Sequence, residues 1–168
     1  ITIFMGRWSY SSRWTTNECK SLSVQFLNKH HYFDGGVRWG GCNWSRNGEQ
    51  TGSIGFTVST LEGEEYVHFQ YTQTDRNTDA KTELDYKARI ESTSCHFGGR
   101  RWWFICPLVV NGRACYRRVG VLYLGSGKYF GCRHCHNLTY ESSKESHKFD
   151  RMFLKMGVLP KMAKELFK

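Results

Sequence analysis

Three stretches decide the fold: Ile54-Gly55-Phe56-Thr57-Val58, Val67-His68-Phe69-Gln70-Tyr71 and Leu84-Asp85-Tyr86-Lys87-Ala88-Arg89-Ile90. In each, every second residue is apolar, the period at which a strand turns side chains to one face. Ile54, Phe56 and Val58 form one row and Val67, Phe69 and Tyr71 the next. Leu84, Tyr86, Ala88 and Ile90 alternate with Asp85, Lys87, Arg89 and Glu91. Glu62-Gly63 offers a hairpin turn and Thr74–Lys81 a polar loop. The expectation is an antiparallel meander with one face packed and one wet.

Upstream, Thr15 or Thr16 caps an expected helix over 17–29, with Leu22, Phe26 and Leu27 on one stripe. That helix is expected to cover the apolar face of the sheet. Asp34-Gly35-Gly36 ends it, and Val37–Trp44 reads as a short strand kinked at Gly40-Gly41. Residues 1–14 read as an arm of interleaved arginines and aromatics. The first seven residues lack the pattern of a secretory leader. The missing initial Met points either to an upstream piece or to a start at Met5.

Downstream, Cys95–Gly99 is a break, and Trp102–Cys106 reads as a strand with Trp102 and Phe104 on one side and Trp103 on the other. Asn111-Gly112-Arg113-Ala114 is a turn. Val119–Leu124, Gly125-Ser126-Gly127 and Lys128–Gly131 read as strand, turn and return strand. Ser142-Ser143-Lys144-Glu145 fits a capping box ahead of the stripe Phe149, Met152, Phe153 and Met156. Gly157 and Pro160 break that helix, and a second short one is expected over 162–167.

The chain has 168 residues, 39% of them apolar and 15% aromatic, a composition well outside the disordered range. Seventeen glycines against two prolines suit a turn-rich β protein. No apolar run reaches membrane-spanning length. The net charge of +9 is uneven: residues 1–95 hold 10 Lys/Arg against 11 Asp/Glu, and residues 96–168 hold 14 against four. The second half therefore carries the whole basic excess, which points to a polyanion partner.

The seven cysteines, an odd number with no leader, argue against a disulfide framework and for a metal. Cys132-Arg133-His134-Cys135-His136 alone spells a haem attachment site, but Cys106 and Cys115 lie upstream in a basic, turn-rich setting. Together they give C-x8-C-x16-C-x2-C. Such pairs at hairpin ends suit tetrahedral Zn²⁺, as in a zinc ribbon. Cys132 and Cys135 have knuckle spacing. The eight residues between Cys106 and Cys115 are too many for one, although a wider loop over Pro107–Ala114 can bring both sulfurs round. Cys95 or His96 remains a rival to Cys106, and His134 or His136 can each replace a cysteine. The expected ligand set is Cys106, Cys115, Cys132 and Cys135.

The fold class expected is thus a β-rich α+β: an antiparallel sheet covered by a short helix, plus a zinc ribbon and a C-terminal helix. The divisions expected are 1–94, 95–140 and 141–168. No phosphate loop, nucleophile elbow or His-Glu-x-x-His motif occurs, and a four-cysteine zinc has no open position. Catalytic residues are therefore not expected. A metal-dependent nuclease using His134 or His136 is the weakest reading. Arg100, Arg101, Arg117, Arg118, Lys128 and Arg133 are the expected phosphate contacts, joined by Lys144, Lys148 and Arg151 on the C-terminal helix.

Residues 93–142 carry a resemblance. Thr93-Ser94-Cys95-His96-Phe97-Gly98-Gly99-Arg100, Trp103-Phe104-Ile105-Cys106-Pro107, Cys132-Arg133-His134-Cys135 and Leu138-Thr139-Tyr140-Glu141-Ser142 resemble small uncharacterised zinc-ribbon-like proteins of bacterial phages, prophages and integrative elements. The resemblance implies a mobile-element origin, the cytoplasm of a bacterial host and a metal knuckle, and no defined activity. Charge and resemblance together lead to a non-catalytic, zinc-bearing nucleic-acid-binding adaptor or regulator, with DNA ahead of RNA. The alternative is an effector that binds a host defence or transcription complex.

Overall fold

The computed structural model describes residues 13–75, 78–125 and 127–145, and the chain divides into two units. One unit spans residues 19–136. It contains β1 (Lys20–Ser23), α1 (Val24–Lys29), β2 (Val37–Arg46), β3 (Glu49–Leu61), β4 (Glu64–Thr74), β5 (Lys81–Ser94), β6 (Arg100–Ile105), β7 (Val109–Val110), β8 (Arg113–Ala114), β9 (Arg118–Val119) and β10 (Val121–Leu124). Strands β2-β3-β4-β5-β6-β9 form one antiparallel sheet in that order.

The alternation in β3–β5 folds as expected. Ile54, Phe56, Val58, Val67, Phe69, Ala88 and Ile90 are buried on one face, with Phe104 of β6 beside them. Leu27 of α1 and Phe33 close over this face, Phe33 stacking on Trp102 at 4.9 Å. A short helix does cover the sheet, but it is shorter than the sequence suggests. Residues 20–23, expected within a helix over 17–29, form β1 and pair with β10, Leu22 opposite Leu122. Ser23 decides this. Its backbone is extended (φ −110°, ψ 148°) and its hydroxyl accepts the Phe26 N–H at 3.0 Å, so it takes the N-cap role and the helix begins at Val24.

Three further expectations are corrected. The irregularity of β2 lies at Trp44/Ser45, not at Gly40-Gly41. Gly40 instead admits the Tyr32 ring, which a Cβ there would strike. Residues 128–131 are a loop rather than a return strand: β10 pairs along its length with β1, leaving only a Tyr123–Gly131 bridge. The sheet also runs on across the expected boundary at residue 94, since β5 pairs with β6 from Ser94↔Arg100 to Ile90↔Phe104.

The second unit joins residues 1–18 to 137–168. A single 3₁₀ turn, Thr16–Glu18, lies beside a parallel bridge between Thr15 and Thr139. Its α2 is described over Glu141–Glu145, starting one residue ahead of the expected Ser142 cap. The rest of the expected C-terminal helices and the arm over 1–12 lie outside the described residues. Among the described residues, no helix is long and apolar enough to cross a membrane.

Candidate metal centre

The strands bring four cysteines together. The sulfurs of Cys106, Cys115, Cys132 and Cys135 all lie within 4.8 Å of one another. Cys106 to Cys135 and Cys115 to Cys132 are each 3.8 Å. Those separations are far beyond a disulfide, about 2.05 Å. They equal the edge of a tetrahedron, about 3.8 Å, around an ion at zinc–sulfur distances of about 2.3 Å. The cluster can hold a metal ion.

The first pair is not a knuckle. Cys106 follows directly from β6, and the eight intervening residues fold into the hairpin β7–β8. Its turn is Asn111-Gly112, both with positive φ (51° and 74°), the backbone of a tight two-residue hairpin. Two backbone bonds close the loop at its base, Cys115 N–H to Leu108 O at 2.9 Å and Cys106 N–H to Arg117 O at 3.0 Å. A spacing too long for one turn is thus the right length for a miniature hairpin.

The second pair is a knuckle held by the core. The Cys135 N–H points at Cys132 Sγ, 3.4 Å away, and the Cys132 N–H at Cys106 Sγ, 3.3 Å away. Phe130, fully buried, stacks on Phe69 at 5.1 Å and meets Tyr71 edge-on at 5.8 Å. A hydrogen-bond relay surrounds it. The Phe130 N–H donates to the Tyr86 hydroxyl at 2.7 Å, and the Tyr71 hydroxyl donates to the Lys128 carbonyl at 2.5 Å. The two hydroxyls lie 3.3 Å apart, so Tyr86 is left to donate to Tyr71. The relay begins and ends on the loop that delivers Cys132.

Gly131 lets the two cysteine loops meet. A Cβ there would come within 2.7 Å of Leu108 Cγ and 3.1 Å of His136 Nε2. The His136 ring packs on Gly125, Gly127 and Gly131 and contributes no atom to the four-sulfur group. Burial holds its protonation below the ordinary range. Cys95 and His96 are exposed in the β5–β6 turn and lie outside the cluster. Cys106 is therefore the residue that joins the other three.

The thiols show what an ion would have to overcome. Burial pushes Cys106 up to about 11 and Cys135 higher still. At Cys115 burial is outweighed by the Arg117 backbone and the three neighbouring thiols, which hold its pKa below the ordinary thiol value. Burial disfavours the thiolates of Cys106 and Cys135, and only a cation at the centre can stabilise four thiolates so close together. The donor set, its spacing and its N–H···S bonds all fit a soft divalent ion.

No known protein family, curated protein or solved structure matches this chain.

The expected phosphate contacts divide between places. Arg117 and Arg133 flank the cysteine cluster, and their charges, behind a larger effect of desolvation, lower the protonation of exposed His134. Arg101 and Arg118 lie on the face of the sheet opposite the core, Arg101 over the Trp103 ring at 4.3 Å and Arg118 beside Glu91 at 3.6 Å. Arg100 is exposed at the start of β6, and exposed Lys128 sits in the relay loop. Lys144 belongs to α2, while Lys148 and Arg151 lie outside the described residues. Sequence reasoning missed Phe130, Tyr71 and Tyr86 as supports of the knuckle. The glycine directly before Cys132 was the one local signal.

Proposed function

We propose that the protein is a structural zinc protein that binds nucleic acid, DNA ahead of RNA, as a non-catalytic adaptor or regulator. Four thiolate donors at tetrahedral spacing favour Zn²⁺, a d¹⁰ ion without geometric demands of its own. Four protein ligands leave no position for an activated water, which argues against hydrolysis at this site.

The observation that carries nucleic-acid binding is the pair Arg117 and Arg133 beside the cysteines. A Zn²⁺ with four thiolates has a net charge of about −2, which alone would repel phosphate. The two guanidinium groups offset it, and exposed Arg113 on the β7–β8 hairpin extends the basic rim. With 14 Lys/Arg against four Asp/Glu over residues 96–168, the cysteine half remains strongly cationic after that compensation.

Two measurements test this reading. Metal analysis should find about one zinc per chain, and a stoichiometric iron content would replace zinc as the ion. Anisotropy titration with duplex DNA should show a steep salt dependence. Arg117→Gln with Arg133→Gln should weaken every sequence alike and reduce the salt slope by about 0.9 for each phosphate no longer neutralised. No binding at low salt would overturn the nucleic-acid reading. The 98% exposed Phe97 and 74% exposed Tyr116 favour a protein partner as the second reading. Partners that survive nuclease treatment of a lysate would support it.

A further inference from the structure

The sheet face opposite the core is patterned rather than merely polar. Tyr66 of β4 lies under the ammonium of Lys87, 4.1 Å from the ring centroid, and Arg89 stands opposite it in register. These three line an open depression of about 350 Å³ together with Gly63 of the β3–β4 turn and Glu64 and Glu65 at the start of β4. Two strands away, Trp103 carries the Arg101 guanidinium on its face at 4.3 Å. Its ring is held in place because the indole N–H donates to Thr93 Oγ1 at 3.1 Å. Glu91 lies between the two aromatics and pairs with both Arg89 (3.3 Å) and Arg118 (3.6 Å), which orients these guanidinium groups and offsets part of their charge, as Asp85 does for Lys87 on the same row.

We propose that this outer face binds a single-stranded nucleic acid, with Tyr66 and Trp103 as stacking platforms and Lys87, Arg89, Arg101 and Arg118 as phosphate contacts. Neither aromatic belongs to the core cluster, which lies on the other side of the sheet, and both are half-buried. An aromatic ring topped by a cation offers a base two ways to stack, by displacing the cation or by lying on the guanidinium plane. The platforms are two strands and two residues apart, or about 12 Å from spacings of about 4.8 and 3.3 Å. Successive bases in a duplex are about 3.4 Å apart, so the face suits bases splayed along an extended strand. Glu64 at the rim can accept a hydrogen bond from an exocyclic amino group, which favours cytosine over thymine at Tyr66. The inference shares a polyanion partner with the proposed function but uses a different surface.

The test is anisotropy and tryptophan fluorescence with dodecamers of dC and dT and with a duplex of the same length. The variants are Tyr66→Leu, Trp103→Leu and the double change Lys87→Gln with Arg89→Gln, each checked for unchanged metal content and circular dichroism. Single strands should bind and quench fluorescence, dC more tightly than dT. Each Leu variant should lose about 5- to 150-fold affinity, one stacked base's worth. The charge variant should lower the salt slope. Wild-type affinity in both Leu variants overturns the inference. So does an acidic peptide that binds the face as well as the oligonucleotide. Duplex binding lost only with Arg117→Gln and Arg133→Gln, without any single-strand binding, overturns this inference and leaves the proposed function standing. Single-strand loss confined to the outer-face variants does the reverse for the cysteine-end contacts.

Discussion

The two cysteine pairs reach the same point by opposite means. Cys106 and Cys115 are joined by a self-contained hairpin, closed by its own backbone and turning at Asn111-Gly112. Val109 and Val110 on that hairpin are exposed and lend it little apolar support. Cys132 and Cys135 sit on a loop without regular structure, yet Phe130 anchors that loop in the core and two tyrosines clamp it. One arm is positioned by local conformation and the other by tertiary packing. Damage should therefore spread differently from each.

Metal loss tests the contrast most severely. Cys132→Ser or chelation should release the ion and cost a large part of a binding free energy of about 10–16 kcal/mol. Cys132 is fully buried beside the core, so its loss should also blunt the near-ultraviolet circular dichroism of the aromatic cluster. Cys115→Ser, at a half-exposed position, should release the metal but leave that signal intact. Equal spectra for the two variants would erase the distinction. Because burial raises the Cys106 and Cys135 thiols, loading must expel protons, and falling pH should drive the ion off. A zinc-release titration with a chromogenic chelator would show it.

Phe130→Ala should come next, costing about 3–5 kcal/mol of stability by denaturant melting. It should weaken metal binding as well, since the knuckle loses its anchor. Tyr86→Phe removes the acceptor for the Phe130 N–H together with the donor to the Tyr71 hydroxyl, and should cost about 1–3 kcal/mol. This variant also has a pH signature. Burial, reinforced by the Tyr71 hydroxyl, raises the Tyr86 pKa, so the relay stabilises the fold below tyrosine's ordinary value of about 10. That contribution fades as pH climbs toward the folded value. Wild type should therefore lose stability in alkali that Tyr86→Phe has already lost. Gly112→Ala should be mildest, about 1 kcal/mol for a side chain at φ 74°. It should weaken metal affinity while leaving the core melt in place.

What could be read beforehand follows the same division. The alternation of Ile54–Val58, Val67–Tyr71 and Leu84–Ile90 was legible because a half-buried strand writes its burial into adjacent residues. Asn111-Gly112 was legible as a turn for the same local reason. The helix over 17–29 misled because Leu22, Phe26 and Leu27 keep a helical spacing even though Leu22 serves a strand. Its partner Leu122 lies a hundred residues later, where no local pattern reaches. Cys106 was the expected ligand and joins the cluster, but spacing left Cys95 or His96 as a rival, since the choice depends on where β6 ends. The Tyr71–Tyr86–Phe130 relay joins three distant segments of chain, so its members read as ordinary core aromatics.

The pairing of β1 with β10 has a consequence for biogenesis. Lys20 meets Leu124, so the first strand of this unit has no partner until nearly the whole unit has left the ribosome. Strands β2 to β5 pair only with sequence neighbours and can assemble during synthesis. The final cysteines emerge just after β10, so closing the first strand and completing the thiol cluster fall in the same late interval. Until then, Leu22 and the inner face of the young sheet are exposed together. Nascent chains stalled before residue 121 should thus be the form most dependent on chaperones and most prone to aggregate.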